Sequence, residues 1–248
     1  MKIAVLSDIH SNVFALEAVI EDAKKHGVEQ MVNLGDIFYG PIAPRATYDL
    51  LNKHKFITIR GNQDRQIYEA SPEEIDANPT MQFILDDLGE EPIFWMKSLP
   101  FDSQLSDEIY LCHGTPRNDV EYLLEDIKTG SPRLRFDSEI TSLLNGVSSE
   151  IILCGHTHIP RTVKLASGQL IINPGSVGLP AYTDDEPVIH SMENYCPHAS
   201  YAVLERVKSG WTVQQIKVYY DHRKAAEKAK ERGRKDWEHF LNTGRGLQ

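Results

Sequence analysis

The sequence predicts an α/β fold in which two β-sheets pack face to face with helices outside. Two observations lead there: short apolar runs alternate with amphipathic stretches at the start of the chain, and closely spaced strands follow Phe101. KIAVLS reads as a buried strand, and Asn12 to His26 as an amphipathic helix ending at Gly27. QMVNLG, APRATYDLLNKH and KFITIR repeat strand, helix and strand, the βαβαβ pattern of a parallel sheet. From about residue 65 to 100 the pattern turns helical and acidic, with Pro72, Pro79 and Pro92 dividing it into short pieces of a cap or lid. FDSQL, EIYLCHG, EIILCGH, RTVKL, QLIINPG, SYAVLERV and WTVQQIKVY then read as strands, and the Ser-Gly turns in LASGQL and VKSGWT predict antiparallel hairpins. A surface helix over about 222–242, docked by Trp237, Phe240 and Leu241, closes a single domain spanning 1–248.

Composition narrows the function. A chain of 248 residues with 41% hydrophobic content can bury a sizeable core, and its formal net charge of −10 lacks the basic footprint that grips a long nucleic acid. No apolar stretch approaches a membrane span, and MKIAVLSDIH lacks the apolar region of a signal peptide, so a cytoplasmic protein is expected. Cys112, Cys154 and Cys196 form no zinc-type pair and suit reduced thiols, the first two as small buried hydrophobes. Oligomeric state is not encoded in any of these features.

The residues that follow the strands carry the chemistry, because open α/β sheets bind ligands at the carboxyl ends of their strands. Successive strands deliver Asp8 and His10, then Asp36, then Asn62 and Asp64, then His113, then His156 and His158, then Asn173 and Ser176. Singly these residues cap helices or make turns. Together they offer oxygen and imidazole ligands from several strand ends, with glycines beside most of them. The pair in HTH is too close for helical ligand spacing, and Pro160 opposes a helix. Read as extended chain, it places Cα atoms of His156 and His158 roughly 6.6 Å apart on one side, a span from which two rings can reach two ions held ~3.5–4 Å apart.

In order, the motifs DIH (Asp8 to His10), GD (Gly35, Asp36), GNQD (Gly61 to Asp64), HGTP (His113 to Pro116), GHTH (Gly155 to His158) and NPGS (Asn173 to Ser176) resemble those of the calcineurin-like metallophosphoesterases, within their small bacterial and archaeal phosphodiesterase branch. The resemblance covers roughly the first 180 residues. It implies a four-layer αββα sandwich of two mixed β-sheets flanked by helices. It further implies one divalent metal on Asp8, His10, Asp36 and His158 and a second on Asp36, Asn62, His113 and His156, with Asp36 bridging. Oxygen and imidazole ligands without thiolate suit manganese, the leading expectation, or iron, zinc, nickel or cobalt. Such a pair activates water for in-line attack on phosphorus, so a small phosphoester or nucleotide is the expected substrate, with Asp36, Asn62, Gln63, Asp64 and His113 at the reacting centre. The alternative is a non-catalytic protein-binding scaffold, as in the retromer subunit of this family.

Two departures from the family pattern matter. Many members have His where this chain has Gln63, and Gln donates a hydrogen bond but not a proton at neutral pH. Loss of a general acid favours diesters or anhydrides with good leaving groups, unless Gln63 only starts a helix. After NPGS, the usual Pro-Arg is replaced by Pro180-Ala181 and an acidic 181–199 loop, whose His190 is a candidate replacement acid. Arg60, Tyr39 and Arg117 flank the motifs and are candidates for contacting substrate phosphate or base.

Overall fold

The alternation of the opening third appears in the computed structural model, which describes residues 1–247. In chain order, β1 (Lys2–Leu6), α1 (Val13–Lys25), β2 (Gln30–Asn33), α2 (Pro44–Leu51) and β3 (Phe56–Thr58) are followed by four helices over the segment expected as a cap: α3 (Asn62–Glu69), α4 (Pro72–Ala77), α5 (Pro79–Leu88) and α6 (Glu90–Ser98). Next come β4 (Ser103–Ser106), β5 (Ile109–Leu111), β6 (Glu125–Asp126), β7 (Arg133–Leu134), α7 (Asp137–Leu144), β8 (Ile151–Leu153), β9 (Arg161–Lys164) and β10 (Leu170–Asn173). The chain ends with β11 (Ala181–Asp184), β12 (His190–Glu193), β13 (Ala199–Val207), β14 (Gly210–Val218), α8 (His222–Glu231) and α9 (Lys235–Thr243).

Two mixed five-stranded sheets result, ordered β14-β13-β1-β2-β3 and β4-β5-β8-β10-β9. Parallel pairing joins β1 to β2 and β2 to β3, while β13 adds antiparallel to β1, and both Ser-Gly turns close antiparallel hairpins. Alternation along β1 sends Ile3 and Val5 to the space between the sheets and Ala4 and Leu6 to the helical side. The inter-sheet core joins Ile3, Val5, Val32 and Leu204 of the first sheet to Leu111, Ile151, Leu153 and Ile172 of the second. Beyond the first sheet lie α1, α2, the cap, α8 and α9, and beyond the second lies α7 with Ile140 and Leu144. This is the αββα layering, built by burying both faces of each sheet.

Local chemistry explains the helix ends. Asn12 accepts the Ala15 N–H and starts α1, whose buried Ala15, Leu16, Val19, Ile20 and Ala23 form one stripe against the first sheet. Pro72 and Pro79 each occupy the first position of a helix, where a missing N–H costs nothing. Pro92 does not divide the cap as expected. It sits within the first turn of α6, and the break falls at Gly89 with φ +70°.

Two further expectations are corrected. The segment 222–242 is two helices, α8 and α9, separated at Gly233 with φ +75°. Trp237, Phe240 and Leu241 are buried in the main helical core, while Lys235 and Asn242 on the other side of α9 are exposed. The 181–199 segment is not only a loop, because β11 and β12 pair in it as an antiparallel hairpin.

Candidate metal centre

The carboxyl ends of β1, β2, β5 and β8 meet at one place. The chain turns sharply there, and Asp8, His10, Asp36, His156 and His158 all have positive φ between 50° and 70°. Such left-handed conformations cost side chains about 1–2 kcal/mol each, so the surrounding loops must enforce them. HTH is therefore not extended, contrary to the sequence expectation. Each histidine turns the chain, and the two rings separate because the backbone coils between them.

Two groups of side chains converge: Asp8, His10 and His158, and Asp36, His113 and His156, each with potential ligand atoms within 4.8 Å of one another. In the first, His158 Nε2 lies 3.4 Å from Asp8 Oδ1 and 3.0 Å from His10 Nε2. In the second, His113 Nε2 lies 3.4 Å from Asp36 Oδ2 and 3.0 Å from Asn62 Oδ1. The outer ring nitrogens are committed: Nδ1 of His10, His113 and His158 lies against the carbonyls of Tyr39, Leu34 and Leu179 at 2.9, 2.8 and 2.7 Å. Donation from each Nδ1–H turns Nε2 inward, where it is a lone pair whenever the ring is neutral. Two such lone pairs facing each other at 3.0 Å, with Asp8 Oδ1 buried and without a hydrogen-bond partner, fit a shared cation.

Electrostatics favours the same assignment. Burial, followed by the like charge of a neighbouring imidazolium, lowers His10 and His156 to about 4, which keeps them neutral and able to ligate. Burial works against ionised Asp8 and Asp36, yet His158 and His113 respectively hold them below the ordinary carboxylate range. His113 is the exception among the rings: burial pulls it down, but the Asp36 carboxylate lifts it to about 10.

The loops are fixed from behind. The Asp64 carboxylate accepts the N–H groups of Asp36, Ile37 and Gly61 at 2.9, 2.9 and 3.0 Å. Burial and the charge of Asp36 outweigh these amides and raise its carboxyl to about 7. With both oxygens spent on the backbone, Asp64 holds Asp36 in place and is not free to orient a group in the cleft. A Cβ on Gly35 would fall 2.2 Å from Gly61 N, and one on Gly61 would fall 2.1 Å from Asp36 Oδ1, so the GD and GNQD loops approach only as glycines. Asp119, missed in the sequence, clamps the next junction: it accepts from Arg60 Nη1 at 2.8 Å and from Arg65 Nε and Nη2 at 2.9 Å, tying the start of α3 to the loop after His113. Asn173 Nδ2 donates to Gly155 O at 2.8 Å, and Ser176 Oγ to Asp8 O at 2.8 Å.

Comparison with known proteins decides the family. The calcineurin-like phosphoesterase superfamily domain matches residues 1–194. The chain belongs to that superfamily. This phosphoesterase is a hydrolase acting on phosphoric esters, in a family that is metal-dependent. It is 26% identical to an uncharacterized protein of Methanocaldococcus jannaschii, over 95% of this chain and 94% of that one. It is 27% identical to the phosphodiesterase YfcE of Escherichia coli, over 73% of this chain and 81% of that one. The fold is shared with a metallophosphoesterase from Sphaerobacter thermophilus at TM-score 0.75 and 23% identity, covering 99% and 100% of the two chains.

The other candidates of this phosphoesterase separate. Gln63 donates its N–H to Asp36 Oδ1 at 2.8 Å, and its side chain lines the cleft, where Oε1 is buried and has no hydrogen-bond partner. Tyr39 also lines the cleft, its hydroxyl accepting from Asn78 at 3.1 Å. Arg60 does not line it, because Asp119 holds its guanidinium over the Phe101 ring. Arg117 is exposed and away from the cleft. His190 is not an exposed loop residue. It is 2% exposed, with Nε2 3.0 Å from the Tyr122 hydroxyl and Nδ1 2.8 Å from Val188 O, so it stands behind Tyr122 instead of facing the metal ligands.

Sequence reading missed the walls. Tyr122 packs on His156 and Tyr182 on His158, with ring centroids 4.8 and 4.7 Å apart, and Trp237 meets His10 edge-on at 5.7 Å. The only signal was the apolar spacing of Trp237, Phe240 and Leu241, which reports burial and not what a ring faces. A cavity of about 250 Å³ lies on the His10 and His158 side, and one of about 730 Å³ on the other. Asn62, Gln63, Tyr122, His156 and Asp184 line both.

Asp119→Ala should cost about 3 kcal/mol of stability, the low end for breaking a buried pair because Arg65 reaches solvent. Metal affinity should fall about tenfold as the loops loosen. Denaturant unfolding and metal titration check both, and wild-type values would show that the clamp holds nothing. A second prediction follows from His113. In the metal-free chain its raised value means that the imidazolium stabilises the fold fully below pH about 6.5, a contribution lost as pH rises toward 10. A divalent ion on Asp36, His113 and His156 must expel that proton, so apparent affinity should rise about tenfold per pH unit from 7 to 9. Calorimetry in buffers of different ionisation enthalpy should read the proton released, and a flat profile would contradict the assignment.

Proposed function

We propose that this phosphoesterase is a dinuclear phosphodiesterase or nucleotide phosphohydrolase of the cytoplasm. One ion would be held by Asp8, His10, Asp36 and His158 and the other by Asp36, Asn62, His113 and His156, with manganese the preferred metal. The observation that carries this reading is the pair of adjacent three-residue groups, with Asp36 in one and electrostatically coupled to His10 in the other. When bound, the ions supply activated water and positive charge for in-line displacement at phosphorus. The chain's own part is to hold the carboxylate of Asp36 ionised between the groups, to aim Nε2 of His10, His113 and His158 inward, and to exclude water with the rings of Tyr122, Tyr182 and Trp237. Cys112, Cys154 and Cys196 are all unpaired, which suits a reducing compartment.

Gln63 refines the substrate class. Its amide reaches the cleft but cannot hand a proton to a departing alkoxide, and His190 is turned away behind Tyr122. Esters whose leaving groups depart without protonation are therefore favoured: activated diesters, anhydrides and nucleotides rather than alkyl monoesters.

Metal analysis with hydrolysis of bis(p-nitrophenyl) phosphate, with and without Mn²⁺, tests the reading: two ions per chain and Mn²⁺-dependent turnover are expected. Asp36→Asn should weaken both ions together and abolish turnover. Two tightly bound ions and a normal rate in that variant would remove the dinuclear assignment, and no metal with no turnover in the native chain would leave a scaffold. Gln63→His should speed poor leaving groups by up to ~10²-fold and activated aryl esters little, flattening the dependence of rate on leaving-group pKa. Equal effects across the series, at constant metal occupancy, would mean that the chain protonates its leaving groups by another route.

A further inference from the structure

Phenyl, phenol and indole rings stand among the polar residues that line the cavity beside His10 and His158. Tyr39, Tyr182, Trp237 and Phe240 line it, and the last two stand on α9, outside the residues matched by the superfamily domain. Three of these rings are tethered. Arg234 sits over the Trp237 ring at 5.3 Å, forks onto Asp236 at 2.6 and 2.9 Å, and donates to Thr80 of the cap at 3.0 Å. The Tyr182 hydroxyl donates to that of Tyr122 at 2.9 Å, and the Tyr39 hydroxyl is held by Asn78. Gly40 leaves room for the indole, since a Cβ there would stand 3.0 Å from Trp237 Cη2 and 2.5 Å from His10 O. A slot whose walls are held by such contacts reorganises less when filled.

Volume limits what enters. The cavity measures about 250 Å³. An apolar cavity of about 150 Å³ accepts benzene, so this one suits a phosphoryl group and one flat ring but not a whole dinucleotide. The larger cavity across Gln63 and His156 is open to the rest of the molecule.

We propose that Trp237 and Phe240, with Tyr39 and Tyr182, form a seat for a flat aromatic or heteroaromatic substituent of the phosphoester, making α9 the element that selects substrate. This rests on the phosphoesterase reading of the metal centre given above. The substituent lies against the rings, while the phosphoryl group would meet the ions that the two ligand groups would hold.

The test uses the Mn²⁺-loaded full chain and measures inhibition constants for inorganic phosphate and for methyl-, cyclohexyl- and phenylphosphonate. Phenylphosphonate should bind about tenfold more tightly than methylphosphonate, and cyclohexylphosphonate, similar in area but not flat, should gain little. In Trp237→Leu the preference for phenyl over methyl should fall to about twofold or less. Phe240→Leu should lower it as well and serves if the indole proves necessary for folding. Equal binding of the three phosphonates by the native chain, or tightest binding of the cyclohexyl compound, would overturn the seat while leaving the metal centre intact. No binding of inorganic phosphate would instead remove the phosphoester reading and the seat with it.

Discussion

Two carboxylates and several imidazoles are buried against one another where the strands end, and burying charge is expensive unless each charge is compensated. Asp8, Asp36, His10, His113 and His158 are nearly inaccessible. Their arrangement survives because backbone groups do the holding. Three amides converge on Asp64, and carbonyls of Leu34, Tyr39 and Leu179 fix three rings. A backbone held by two packed sheets moves little, so the ligand atoms are pre-positioned by the core rather than by one another. The strained turns at Asp8, Asp36 and His156 belong to the same device. Each aims a side chain inward from a strand end at a conformational cost that the sheets beneath absorb.

Much of this was legible in the sequence, for a physical reason. Short buried strands are apolar runs, and a ligand immediately after such a run must lie at the sheet's carboxyl edge. The spacing of Asp8, Asp36, Asn62, His113 and His156 therefore encodes their meeting. How each residue turns was not legible. HTH reads as extended because alternation is the simplest way to separate two rings, whereas the left-handed turns at His156 and His158 depend on contacts from other segments, such as the His156 N–H to Asp8 Oδ2 bond at 3.2 Å. His190 shows the same limit. An acidic, proline-containing segment predicts exposure, but the β11–β12 hairpin folds back and buries the ring behind Tyr122. The ion pair of Asp119 with Arg60 and Arg65 joins residues far apart in sequence, so no local pattern announces it.

Net charge and local charge have to be separated in a phosphoesterase of formal charge −10. At physiological ionic strength, exposed charges are screened over about 8 Å, so the distant acidic surface acts weakly at the site. Asp184 and Asp236, by contrast, line the smaller cavity itself, and Arg234 is already paired with Asp236. On the proposed reading, attraction for a phosphoryl group in this cavity would come from divalent ions at the ligand groups, which would make metal binding and substrate binding a single electrostatic problem.

If the aromatic walls select the substrate as proposed, chemistry and selectivity come largely from different stretches of chain. Every metal-ligand candidate lies within the residues matched by the superfamily, and their order follows the strands. Apart from Tyr39, in the ligand loop after β2, the aromatic walls come from the loop after β5, from β11 and from α9, elements whose sequence carries only burial and turn signals. Packing explains why these can vary independently. Ligand loops are pinned to the sheets by backbone hydrogen bonds, whereas α9 meets the site through side chains, with Trp237 against His10. A side-chain contact can be exchanged without moving a strand, so a fixed metal-ligand framework accommodates different walls. That is why the motifs disclose the reaction and leave the substrate to the tertiary structure.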